Sequence, residues 1–390
     1  MRLFRTRLLA CAAASLMLVG CWNEEEDSAA EEKVSITSVK VFGDSLADVG
    51  TFGAKFTVQN APPTAAPLIY ADRVALAYGI TSLCPVYVSS DSGATFTKNT
   101  TAGCTGHAIG GGRINNPSNP SSEISIRTQL SAATAASTYT ANDLLVIDGG
   151  GNDAADLVGA YLTAAGDSAA AYLALVGTLV DSTTITNTLT SQGTEAGMAT
   201  LGGLYMQALA NAFYDSIKTS ALDKGAQHVL LINLPGITKT PRFQAALDGV
   251  AAAYGGGTTG AAARASAESL FQTWIQTFNS TLASKVSGNS KVMLVDSYTL
   301  LEDMVANPTK SAYALTNATT PACTATTAGG DTDWTLCVDA LLSANIPVGA
   351  TGGSSWWTTY LFSDGFHPTP RGHELFYNAI RTQLVASGRL

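Results

Sequence analysis

Charge is scarce in this 390-residue chain: Asp, Glu, Lys and Arg make up 13%, 21 basic against 30 acidic, and the basic residues form no cluster. A chain without a basic patch lacks the electrostatic footprint of a nucleic-acid or heparin partner. Histidine and cysteine are also few, 4 and 6 residues. No Cys-x-x-Cys and no paired histidine spacing occurs among them, which argues against a zinc site, and neither metal nor cofactor is expected. No heptads and no clear internal repeat are present, so coiled-coil and solenoid architectures drop out. The apolar run Leu8–Gly20 falls short of the roughly 20 residues a membrane-spanning helix needs.

That run does other work. Arg2, Arg5 and Arg7 precede it and small residues end it, the pattern of a secretory signal. Leu18-Val19-Gly20-Cys21 resembles the bacterial lipoprotein signal, which implies removal of residues 1–20 and lipidation of Cys21; the alternative is an ordinary signal with an incidental cysteine. Residues 21–35, rich in Glu and Ser, then read as a solvated tether, and residues 36–390 as one domain with long insertions, since no Pro-rich or charge-rich linker divides them. Export to a lipid-anchored position on the cell envelope follows. The outer membrane is the expected one, because Trp22 supplies no acidic inner-membrane retention signal. Four cysteines remain for an oxidising compartment, enough for two disulfides. Three pairings are possible; Cys84–Cys104 with Cys323–Cys337 keeps each bridge within one loop and is preferred.

Short runs rich in Val, Ile and Leu occur at Val39–Phe42, Asp143–Ile147, His228–Asn233 and Lys291–Val295, as expected of strands buried on both faces. A further strand is expected near Ser82–Val88. Helical patterns cover Pro67–Tyr78, Ser122–Ala133, Leu201–Leu222, Ala261–Lys285 and Pro370–Ser387. Alternation of this kind predicts an α/β fold, a parallel sheet with helices on both sides. The Ala- and Thr-rich stretch 154–198 predicts inserted helices. Residues 306–360, with Trp334, Trp356 and Trp357, form an irregular excursion whose aromatic residues suit either a binding lid or plain loop anchors.

Ligands of open parallel sheets bind beyond the carboxyl ends of the strands. Four signals gather there: Ser45 in Gly43-Asp44-Ser45 after the first strand; the glycine-rich turn Gly110-Gly111-Gly112; Asn152 in Gly150-Gly151-Asn152-Asp153; and Asp364 with His367 before the last helix. Singly each suits a turn or a helix cap. Together they supply a nucleophile, a base and an orienting acid.

In order and spacing these blocks resemble the GDSL or SGNH hydrolases, serine esterases and lipases on a three-layer α/β/α flavodoxin-like sheet. The blocks are Phe42 to Asp48, Ala108 to Gly111, Asn152 within Gly-x-Asn-Asp, and Asp364 to Thr369. The stretches 233–243 and 296–323 are similar to a branch of bacterial secreted lipases related to lecithinases. The resemblance implies Ser45 as nucleophile, His367 as base and Asp364 as its orienter. It implies an oxyanion hole at the Ser45 amide, a backbone N–H near Gly111 (within 110–112) and the Asn152 side chain. Ser363 stands where related lipases often carry an aromatic residue, which bears on the acyl pocket. His107, His228 and His373 read as structural, Asp44 and Asp153 as caps or braces. The expected function is hydrolysis of a carboxylic ester, lipid or acyl. The alternatives are a carbohydrate acetyl esterase and a non-catalytic envelope lipoprotein that binds glycan or protein.

Overall fold

The four apolar runs form one parallel sheet in chain order: β1 (Ser38–Phe42), β2 (Asp143–Ile147), β3 (His228–Ile232) and β4 (Val292–Val295). A computed structural model of the chain describes residues 34–61, 66–135, 138–328 and 335–390. Residues 1–20, Cys21, most of the tether and Trp334 lie outside the described residues. Val41 pairs with Val146, Val146 with Leu230 and Leu230 with Met293.

Successive strand side chains alternate between faces, and here both faces are covered. Leu144, Val146, Leu230 and Ile232 pack against α1 (Tyr70–Ala77) and α6 (Pro370–Ala386). Leu145, Ile147, Val229 and Leu231 face α2 (Ile126–Ala135), α3 (Gly151–Thr163), α4 (Thr194–Ser220) and α5 (Gly257–Val286). Double coverage is why the central strands β2 and β3 read as unbroken apolar runs, while β1 alternates through Ser38 and Lys40. The result is the expected α/β/α sandwich. Val34–Leu390 form one compact unit.

Of the stretch Ser82–Val88, where a strand is expected, only Tyr87–Val88 is a strand, and it does not join the parallel sheet. The outer edge of β1 is instead met by Thr105–Ala108: Val41 N–H donates to Thr105 O at 3.0 Å, and His107 N–H to Val41 O at 2.7 Å. Pro85 bridges onward to Gly106. Tyr87–Val88 pairs only with Thr97–Lys98, in a two-residue ladder. A proline cannot donate to a ladder and holds the segment to an edge role.

Both disulfides take the short-loop pairing, Cys84–Cys104 and Cys323–Cys337. Residues 154–198 are helical, as expected. The excursion 306–360 is more ordered than its composition suggests. Asn317–Pro321 pairs with Tyr360–Phe362, and a small core gathers Cys323, Cys337, Val58, Leu342 and Trp356. Trp356 is buried, with its indole N–H donating to Leu342 O at 2.8 Å; it is a loop anchor. That core holds the end of the Asp364 block, for Cys323 N–H donates to Ser363 O at 2.7 Å.

Candidate active site

The sharp turn at the end of β1 depends on Gly43. Its φ is +150°, and a Cβ there would lie 1.6 Å from Asp148 Oδ1. The buried Gln129 side chain of α2 grips the same peptide twice, accepting from Gly43 N–H at 2.9 Å and donating to Gly43 O at 3.0 Å. Asp148, at the end of β2, accepts from Asp44 N–H at 3.1 Å and from the Tyr70 hydroxyl at 2.6 Å. These contacts fix Ser45 just beyond the strand, nearly buried at 4% exposure.

His367 reaches Ser45 from the turn before α6. Nε2 lies 2.8 Å from Ser45 Oγ, and Nδ1 lies 2.7 Å from Asp364 Oδ2. The other Asp364 oxygen accepts from Phe366 N–H and His367 N–H, both at 2.7 Å. Ser363 closes this turn, donating from its N–H (2.8 Å) and its hydroxyl (3.0 Å) to His367 O. Its side chain therefore serves the backbone, not an acyl pocket. Burial works to raise the Asp364 pKa, but the His367 charge and the hydrogen bonds overcome it and hold the carboxyl below its ordinary value. Burial likewise disfavours a charged His367, yet Asp364, with Asp44 adding to it, keeps its pKa above the ordinary 6.5.

Hydrogen-bond accounting distinguishes the three glycines. Gly110 N–H donates to Asp48 Oδ2 at 2.8 Å, and Gly112 N–H to Ile109 O at 2.9 Å. Among the described residues, Gly111 N–H and Ser45 N–H find no acceptor. Asn152 spends one amide hydrogen on Gly112 O at 3.0 Å. Gly112 packs so closely on the serine turn that a Cβ would meet Gly43 O at 2.6 Å. Unspent donors that face a hydroxyl hydrogen-bonded to an imidazole are what stabilises an oxyanion formed by attack of that hydroxyl, and the Ser45 N–H belongs to the nucleophile itself.

Ser45, Asp364 and His367 thus meet beyond the carboxyl end of β1, and Asn152 binds Gly112 of the glycine turn that packs on the serine turn. Several supporting residues escaped sequence reasoning: Gln129, Asp148, Tyr70 and the second oxygen of Asp48. Asp48 stood inside the serine block and was the one legible signal. Asp153 braces the glycine turn through Ile114 N–H (3.0 Å) and Asn115 N–H (2.7 Å), and burial raises its pKa to about 7. Asp44 caps the turn through Leu46 N–H at 3.1 Å, and burial raises its pKa too. His107 stacks on Phe42, its pKa lowered by burial to about 4. His373 is wholly buried beside Tyr70, and His228 contacts Arg389. No group of three potential metal ligands occurs among the described residues.

A family model described as GDSL-like lipase/acylhydrolase matches residues 39–380. No curated protein matches the chain.

Proposed function

The chain belongs to the GDSL-like lipase/acylhydrolase family, and from that premise we propose that it is a serine hydrolase of carboxylic esters, working through an acyl-enzyme on Ser45. The observation that carries this is the unbroken chain Asp364–His367–Ser45, with contacts of 2.7 and 2.8 Å. A serine hydroxyl is a weak nucleophile until a placed base takes its proton. In this reading His367 Nε2 takes that proton as Oγ attacks the ester carbonyl, and returns it to the departing alcohol. Asp364 holds Nδ1–H and stabilises the imidazolium. The oxyanion is received by Ser45 N–H, Gly111 N–H and Asn152 Nδ2, each such donor contributing about 3 kcal/mol in comparable enzymes. Water activated by His367 then attacks the acyl-enzyme and frees the acid.

A fluorophosphonate ester should label the protein at Ser45 and fail to label Ser45→Ala. Full labelling of the variant, or none of the parent, would sink the proposal.

We further propose that the protein is a bacterial envelope lipoprotein of the lecithinase-related branch, held on the outer membrane by lipid on Cys21. The apolar run ending in Leu18-Val19-Gly20-Cys21 supports this. Cells fed a labelled fatty acid should mark the parent but not Cys21→Ala, and label persisting in the variant would refute the anchor.

A further inference from the structure

One N–H in a run of three glycines, that of Gly111, must keep a fixed direction if it is to meet an oxyanion formed at Ser45. Glycine has the widest backbone freedom of any residue, and Gly111 sits at φ +78°, so that direction has to be imposed from outside the run. Partners are spaced along it. Gly110 N–H is taken by Asp48 Oδ2 at 2.8 Å and Gly112 N–H by Ile109 O at 2.9 Å. The carbonyl of Gly112 accepts from Asn152 Nδ2 at 3.0 Å, and that of Gly111 from Arg113 Nη1 at 2.7 Å. The peptide joining Gly111 to Gly112 is thus gripped at both ends, its oxygen by Arg113 and its N–H by Ile109.

Arg113 is itself anchored. Its backbone joins the start of α2, with Ile126 N–H donating to Arg113 O at 2.9 Å. Its Nε and Nη2 lie 2.5 and 3.0 Å from the two carboxylate oxygens of Asp156, the two-pronged geometry that holds a guanidinium plane in one orientation. Asp156 lies four residues after Asn152 in α3, so the two side chains leave the same face of that helix. One helix face therefore reaches the glycine turn twice, directly through Asn152 and indirectly through Asp156 and Arg113. The two side chains of the ion pair are 31% and 40% exposed, and pairs so exposed add little to stability. Such a pair does little to hold the fold together, yet its geometry still fixes the peptide it touches.

We propose that Arg113 is a positioning residue of the oxyanion hole: held in plane by Asp156, its guanidinium fixes the Gly111–Gly112 peptide and with it the direction of Gly111 N–H. The inference rests on the acyl-enzyme reading above and adds the group that keeps one of its donors aligned. Arg113 acts in this role through Gly111 alone. A lysine ammonium, a point charge without the fork, can reach one partner but cannot hold a plane between two.

The test compares Arg113→Ala, Arg113→Lys and Asp156→Ala with the parent on p-nitrophenyl butyrate. Removing an oxyanion donor lowers kcat by about 10²–10³-fold in comparable enzymes, so a donor left unaligned should lower it by about ten- to a hundredfold in Arg113→Ala, with KM within about twofold. Arg113→Lys should stay impaired. Asp156→Ala should lower kcat too, and combining it with Arg113→Ala should add nothing, because the carboxylate acts only through the guanidinium. Affinity for a boronic acid, which forms a tetrahedral adduct on a serine, should fall in step with kcat while the unfolding midpoint stays near the parent's. Parental kcat in folded Arg113→Ala, full recovery in Arg113→Lys, or a loss of kcat with unchanged boronate affinity each overturns the proposal. Should Arg113→Ala fail to fold, the half-exposed Asp156→Ala decides, and parental kcat there overturns it as well. Fluorophosphonate labelling of the parent keeps the two readings apart: a labelled parent indifferent to Arg113 overturns the positioning role alone, while an unlabelled parent overturns the acyl-enzyme beneath it.

Discussion

Asp364→Asn should lower kcat on a simple ester by about 10⁴-fold, the loss seen when a triad carboxylate becomes an amide elsewhere. That is about 5 kcal/mol of transition-state stabilisation. The reason is tautomeric. Asp364 Oδ2 accepts from His367 Nδ1, which leaves Nε2 bare to take the proton of Ser45 Oγ, 2.8 Å away. An amide nitrogen in that place donates to Nδ1, driving the ring proton to Nε2, where it faces the hydroxyl and blocks proton transfer. The turn itself survives, because the amide oxygen can still accept from Phe366 N–H and His367 N–H as Oδ1 does now. KM should change little, since Asp364 is buried behind the histidine.

The pH profile supplies an independent reading of the same variant. The base must be neutral, so activity rises with pH through the His367 pKa, and in the parent that acid limb should lie above 6.5. The substitution removes the carboxylate that outweighs burial, and burial disfavours the charged ring. The limb should therefore move to lower pH in the residual activity. A purely structural role would lower the unfolding midpoint without moving the limb. Retention of parental kcat with an unmoved limb would exclude Asp364 from the mechanism.

The residues proposed to carry the reaction were legible in the sequence because each sits at an abrupt end of a regular element. Ser45 follows β1, Asn152 follows β2, and Asp364 with His367 precedes the capped start of α6, where Thr369 accepts from Gly372 N–H. The sheet was legible for a related reason: its central strands, covered on both faces, have no polar alternation to dilute the signal. The groups that hold the site were not. Gln129 lies in an ordinary amphipathic helix, and its double hydrogen bond to Gly43 crosses 86 positions of sequence. Asp148 reads as the polar end of a strand, and only the close approach of two turns gives it a task. The segment along the outer edge of β1 was not legible, because Thr105–Ala108 bonds to it mainly by backbone, which leaves no side-chain pattern. The order in 306–360 depends on a disulfide and a buried indole rather than on periodicity.

Gly43→Ala should destabilise the protein by more than about 4 kcal/mol, placing it among the most damaging single substitutions. Three costs converge on one methyl group. It would sit 1.6 Å from Asp148 Oδ1 and 3.2 Å from Asp148 O, so something must move. Asp148 cannot swing away without giving up the Tyr70 hydroxyl and Asp44 N–H, and leaving such buried groups unpaired costs about 1–3 kcal/mol. Nor can the Gly43 peptide retreat, for Gln129 holds both its N–H and its carbonyl. The backbone, at φ +150°, adds a further cost of about 1–3 kcal/mol for a residue with a side chain. Gly50 separates these contributions, since its φ is +125° and a methyl group there would meet nothing within 4 Å. Gly50→Ala should therefore show the backbone cost alone, about 1–3 kcal/mol. Denaturant midpoints of the two variants decide the matter; equal losses would mean that Asp148 yields. In that event Gly43→Ala with Asp148→Ala would behave additively. If the clash is real, the double variant should lose less than the sum of the two single changes, because Asp148→Ala removes the atom that the new methyl meets. A turn held this tightly from three sides is what keeps Ser45 Oγ within hydrogen-bond reach of a histidine that arrives from 322 residues away.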